Sequence, residues 1–263
     1  MSATPQDLMT AALFFNAAFP VMRVVLEDDP KMKAKFRDVR AVVQIGAKNG
    51  DELVACHLVF DRGELTINQG PAASPDLSLN FSTVAKMNVM FRGGAALPGI
   101  KGLSKIGLLL KVLSLLMSLM IMMPGSRPKD PVKKALKVKM SLYMITRALS
   151  TYNKLGNPEM AEWCRRQPDR IYQFIVDSEG GAAPIACYLR VKAGKSKSGH
   201  GIYTRRAPFV LFHFFSVDGA MKVLLRDVGF VPGVEQGYVE IVGSPEYAMN
   251  LNDFMSLLQG MLT

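Results

Sequence analysis

Cysteine is scarce and poorly placed: Cys56, Cys164 and Cys187 are an odd number with no CxxC spacing. That argues against a disulfide framework and against a zinc site, and it fits a reducing, intracellular setting. Histidine is equally thin, with His57, His200 and His213 scattered along the chain. Cys56 and His57 are neighbours on an expected strand, so they point to opposite faces and cannot pair as nucleophile and base. No paired carboxylates at helical spacing stand out. The stretch Gly94–Gly102 fails as a phosphate loop, because Ile100 separates Gly99 from Lys101 and no Ser or Thr follows that lysine. No basic leader precedes the apolar segment Leu8–Phe19, so it is expected to be an amphipathic or buried helix and not a secretory signal. These gaps leave no catalytic residue, no metal ligands, no cofactor and no enzyme activity to expect.

Basic charge and apolar residues are what the chain has. It carries 32 Lys and Arg against 22 Asp and Glu, a net charge of +10 over 263 residues, and 49% of them are hydrophobic. A balance of this kind favours acidic partners, including anionic membrane surfaces. Nucleic acid is disfavoured, since no aromatic-interleaved basic strand or helix-turn-helix pattern is present. Lys129 to Lys139 holds five lysines, and Arg190, Lys192, Lys195 and Lys197 form a second basic run. Near the middle lies Ile106–Met123, eighteen residues with one charge, Lys111. As a helix it would be ~27 Å long at ~1.5 Å per residue, just short of the ~30 Å hydrocarbon core.

Along the chain, Pro5 opens a helix that Pro20 is expected to kink or end, followed by helical pieces at 21–29 and 31–36. From Arg40 the pattern alternates. RAVVQIGA and ELVACHLVF read as strands joined at Asn49-Gly50, with ELTINQ and LSLNF as the third and fourth. A helix capped by Ser82 follows, then a loop with a short edge strand in Gly102–Gly107, then the apolar helix. Pro124–Pro128 reads as a linker, Pro131 opens a long basic helix ending at Gly156, and Pro158–Arg166 is a short one.

The chain also repeats itself. Ala55, Cys56, Leu58, Gly63 and Gly70 match Ala186, Cys187, Leu189, Gly194 and Gly201 at a constant offset of 131. Further on, Ser78–Val84 meets Leu211–Val217, Leu97-Pro98-Gly99 meets Val231-Pro232-Gly233, Ile106-Gly107 meets Val242-Gly243, and Leu113–Leu116 meets Met255–Leu258. The expectation is two copies of one α+β module: 1–124, a linker at 125–130, and 131–263.

The second copy closes with Gly237, Val239, Ile241 and Gly243, then Ala248, Met249 and Leu251. That run, with RAPFVLFHFFSVDGAMKVLLRD before it, resembles the sterol carrier protein (lipid-transfer) family. The resemblance implies an α+β fold of two sterol-carrier-like modules, each an antiparallel sheet of about five strands covered by helices, with a hydrophobic cavity between them. It further implies that apolar helix faces line that cavity. In the first copy these are Val84, Met87 and Phe91, then Leu109, Leu113, Leu116 and Met120. In the second they are Val217, Met221 and Leu224, with Met249 and Phe254 in the last helix.

The expected function is that of a non-enzymatic cytoplasmic protein that binds or transports a lipid: a fatty acyl chain, a sterol-like molecule or an acyl thioester. The competing expectation is a structural or interaction protein whose apolar helix 106–123 mediates a homodimer or peripheral membrane attachment. That helix has almost no polar face, so it should be buried on every side, between the modules or under helix 131–155. Partial exposure would instead mark it as the contact surface.

Overall fold

The computed structural model describes residues 2–263, which divide into two compact units: the first runs to Met123 and includes Leu262–Thr263, the second is Pro124–Met261. Each holds one five-stranded sheet.

The first unit opens with α1 (Pro5–Leu13), whose N-terminus is capped by the Thr4 side chain accepting from the Asp7 N–H at 3.1 Å. Pro20 does not end this helix. A π turn at Phe14–Ala18 and a 3₁₀ turn at Phe19–Val21 carry the chain into α2 (Met22–Asp28). Proline lacks the N–H and its ring presses on the carbonyl four residues back, and a local change of helical pitch accommodates both. α3 (Pro30–Phe36) follows, capped by Asp29. Strands β1 (Arg40–Asn49), β2 (Glu52–Asp61), β3 (Glu64–Gln69) and β4 (Leu77–Phe81) come next, then α4 (Val84–Phe91), capped by Thr83 and not Ser82. β5 is Gly99–Lys101, earlier than the expected 102–107, and α5 (Ile106–Ser118) is extended by 3₁₀ turns at both ends.

The second unit repeats this order: α6 (Pro131–Lys154), α7 (Pro158–Arg165), β6 (Asp169–Val176), β7 (Ile185–Lys192), β8 (Lys195–His200), β9 (Val210–Phe214), α8 (Val217–Leu224), an added α9 (Phe230–Glu235), β10 (Val239–Gly243) and α10 (Pro245–Leu262).

The two sheets share one strand order, β3-β2-β1-β4-β5 and β8-β7-β6-β9-β10. They are mixed, not purely antiparallel: β4 runs parallel to β1, and β9 to β6. The reason lies in the segment after β3. It crosses back over β1 before β4 begins, so β4 enters the sheet from the same end as β1. A buried glutamine on the central strand catches that crossing in each unit. Gln44 Oε1 accepts from the Ala72 N–H at 3.0 Å, and Gln173 Oε1 from the Tyr203 N–H at 2.9 Å. Unmade, such buried bonds would cost ~1–3 kcal/mol each.

The opposite faces of the sheets carry the cores. Ile45, Cys56, Leu58, Leu79 and Phe81 are enclosed in the first unit, and Phe174, Cys187, Leu189, Val210 and Phe212 in the second. Cys56 pairs with Ile45 as Cys187 does with Phe174, so both cysteines occupy one repeated core position.

Two sequence matches shift. Gly102 comes directly after β5 and Gly243 ends β10, with φ of +91° and +108°, and a Cβ there would overlap the carbonyl of Asp76 or Phe209. Gly102 is therefore the partner of Gly243, in place of Gly107. Pro232-Gly233 lies inside α9, whereas Pro98-Gly99 leads into β5, so that pairing does not hold.

The apolar helix is not buried on every side. Leu109, Val112, Leu115 and Leu116 are enclosed, and α5 packs on α2 and α3. Leu103, Ile106, Leu110 and Met117 are 59%, 56%, 62% and 63% exposed. An apolar residue at nearly every position hid which face turns inward.

Candidate functional site

A cleft of about 470 Å³ opens in the first unit where the start of β1 meets α5. Its apolar wall is Val39, Ala41 and Leu108, and its rim carries Asp38, Arg40, Asp76, Lys105 and Lys111. Gly102 lies against the Asp76 carbonyl, and the residues after it bring Lys105, Leu108 and Lys111 to this cleft. Asp76 is tied down at the mouth. It pairs with Lys105 and accepts from the Val42 N–H at 2.7 Å. The hydrogen bond from Lys105, and after it that from Val42, holds its carboxyl below the usual carboxylate range. Asp38 lies 3.5 Å from Arg37 and Arg40 3.4 Å from Asp61. Lys111 makes no ion pair among the described residues. The rim thus presents a free ammonium beside an apolar wall, a pairing that suits an anionic head with an apolar tail.

The second unit fills the same place. Gln44 corresponds to Gln173, so Ala41 corresponds to Arg170. Asp76 gives way to Phe209, each donating its N–H to the neighbouring strand at 2.8 Å. Arg170 stacks between Phe209 and Tyr247, 3.9 and 4.3 Å from the ring centres. Trp163 closes the cluster against Tyr172, Phe254 and Tyr247 at 5.2, 5.7 and 6.3 Å. The Arg170 Nη1 and Trp163 Nε1 donors are buried there without a hydrogen-bond partner.

The residues expected to line a lipid cavity fall into three settings. Val84 and Met87 are fully enclosed, and Phe91 joins an aromatic cluster with Phe19, Phe14 and Phe81 at 4.8, 5.4 and 6.0 Å. On α5, Leu109 and Leu116 face inward, while Leu113 and Met120 are half-buried on the side of Leu110 and Met117. In the second unit Val217, Met221 and Leu224 are half-buried, as is Phe254, and Met249 is exposed. There α8 and α10 meet through polar ends: Gln259 donates to the Leu224 carbonyl at 3.1 Å and Arg226 to that of Ser256 at 2.7 Å.

None of these residues lines the cleft. Sequence reasoning missed Val39, Arg40, Ala41, Asp76 and Lys105, which converge only through the fold. The one visible signal was Lys111, the lone charge in an apolar run.

The three thiols are buried. Burial pushes Cys164 and Cys187 up to about 12, and Cys56 higher still. His57 Nδ1 lies 3.0 Å from the Gly70 carbonyl oxygen, and His213 sits beside Asp177 at 3.0 Å. Among the described residues no group of three His, Cys, Asp or Glu could hold a metal ion.

No protein-family model and no curated protein matches the chain. Among solved structures, sterol carrier protein domain 2 of Helicoverpa armigera is 21% identical, over 46% of this chain and 89% of that one, with a TM-score of 0.35. Sterol carrier protein-2 from Aedes aegypti, in complex with palmitate, is 13% identical over 48% and 97%, with a TM-score of 0.32. A sec-alkylsulfatase from Pseudomonas sp. is 13% identical over 65% of this chain and 31% of its own, with a TM-score of 0.27. The chain is similar to sterol carrier protein domains of several species, at low sequence identity.

Proposed function

We propose that this protein is a non-enzymatic carrier of an anionic amphiphile, with the head at the cleft of the first unit and the tail along its apolar wall. The observation that carries the reading is the unpaired Lys111 ammonium beside Val39, Ala41 and Leu108 in a cleft of about 470 Å³. Clefts that hold small molecules commonly span ~300–1,000 Å³, mostly apolar with a few convergent polar groups. A carboxylate or phosphate oxygen would accept from Lys111, with Arg40 and Lys105 adding charge. Each Å² of tail removed from water would contribute ~25 cal/mol. In the second unit, the half-buried Val217, Met221, Leu224 and Phe254, with Met249, form a second apolar surface for the same class of ligand. Release would follow from movement of helices at the mouth.

Extraction of the purified full chain followed by mass spectrometry, together with titration of a fluorescent fatty acid, tests this. The expected result is a bound lipid and saturable binding that Lys111→Glu weakens about tenfold or more, the scale of a lost charge-assisted bond. No bound lipid and no titratable binding would overturn it. Unchanged affinity in Lys111→Glu would remove the head site from the cleft.

A further inference from the structure

Among the described residues two helical stretches are long and apolar enough to cross a membrane, and they differ in surroundings: Pro5–Asp28 is 72% buried, Leu103–Met122 only 28%. The first is core. The second has a buried face, Leu109, Val112, Leu115 and Leu116, packed within its own unit, so it is not free to leave as a spanning helix. Its outer face is a continuous apolar stripe. Leu103, Ile106, Leu110 and Met117 recur at spacings of three, four and seven, one side of a helix, with Leu113 half-buried in the same row.

Charge decides what can cover that stripe. From Leu77 to Lys129 the chain has seven Lys and Arg and no Asp or Glu. Lys101 is exposed just before the helix, Lys105 and Lys111 lie at its start and middle, and Lys35 of α3 reaches the Ser114 hydroxyl at 2.8 Å. A second copy of this chain, docked by a twofold axis on the stripe, would bring these lysines against themselves. An anionic bilayer would meet them with opposite charge while taking up the apolar row.

We propose that α5 is an in-plane membrane anchor that seats this protein on anionic lipid surfaces. The helix lies parallel to the bilayer, its stripe sunk ~5–10 Å into the headgroup and acyl boundary, with Lys101, Lys111 and Lys35 at headgroup level. Each such lysine strengthens attachment about fivefold at low salt, and the gain fades within a Debye length. This does not rest on the cleft holding a lipid.

Co-sedimentation of the full chain with phosphatidylcholine vesicles, with and without phosphatidylserine, tests it. The expected result is binding to the phosphatidylserine vesicles that falls with added salt and is about fivefold weaker in Lys101→Ala. The double variant Leu110→Glu/Met117→Glu, changed only at exposed positions, should lose vesicle binding while its circular dichroism, melting and fatty-acid titration in vesicle-free solution stay unchanged. Absent binding to phosphatidylserine vesicles, or binding that survives the double variant, would overturn the proposal. A dimer by light scattering that the double variant dissolves would assign the stripe to a second copy and overturn it equally. Loss of fatty-acid binding alone would bear on the carrier reading and leave the anchor standing.

Discussion

Lys137 is an ammonium in α6 with almost no solvent contact, donating to the Ser126 carbonyl at 2.9 Å. Burial first, and the nearby Arg127 guanidinium second, lower its pKa from the usual 10.5 to about 8. Between those values the unfolded chain holds the proton more firmly than the folded one, so this group's contribution to stability rises with pH. The folded state is penalised below about 8 and relieved as pH climbs towards 10.5. Urea denaturation across that window should therefore show the wild type gaining on Lys137→Met as pH rises. A difference that stays flat with pH would contradict this. Nothing in the sequence marks this lysine out: it is one of five between Lys129 and Lys139, and its burial comes from the fold.

For elements, the two faces of α5 predict opposite responses to substitution. Leu115→Ala empties enclosed volume and should cost ~2–5 kcal/mol, whereas Leu110→Ala, on the exposed stripe, should change stability by under ~0.5 kcal/mol. Chemical denaturation of the two variants checks it, and equal losses would mean the stripe is covered in solution. The strands were legible because a period of two, punctuated by turns, is a local signal that survives low similarity. The inward face of α5 was not, since an unbroken apolar run has no phase to read. Pro20 was legible only as a kink or an end: which of the two it makes depends on whether the helix can change pitch, and Phe14–Ala18 does.

Over the whole molecule, the repeat was the most readable feature, as Cys56 and Cys187 or Gly70 and Gly201 keep their spacing within contiguous hairpins. The cleft was not readable, because it joins Val39–Ala41 to Lys105–Lys111, segments that only the closed sheet brings together. The match of Pro98-Gly99 to Pro232-Gly233 shows the limit of short motifs: the same two residues enter a strand in one unit and lie inside a helix in the other.

The parallel central pair also dictates an order of assembly. The hairpins β1–β2 and β6–β7 close through their own turns, but Val43 meets Leu77 and Tyr172 meets Val210 only after more than thirty intervening residues are gathered in. Closing a loop of that length costs about 3 kcal/mol of chain entropy beyond a fixed term. The middle of each sheet is therefore the last seam to be sewn, and the outer hairpins the first. Pulse-labelled hydrogen exchange during refolding should protect the amides shared by β1 and β2 before those shared by β1 and β4. Gln44→Ala should delay the second set and spare the first, and simultaneous protection would refute that sequence. Each unit would then spend its refolding time with a half-built sheet whose open edge is β1 or β6, and pairing between these two equivalent open edges is the misfolding route that the repeat itself creates.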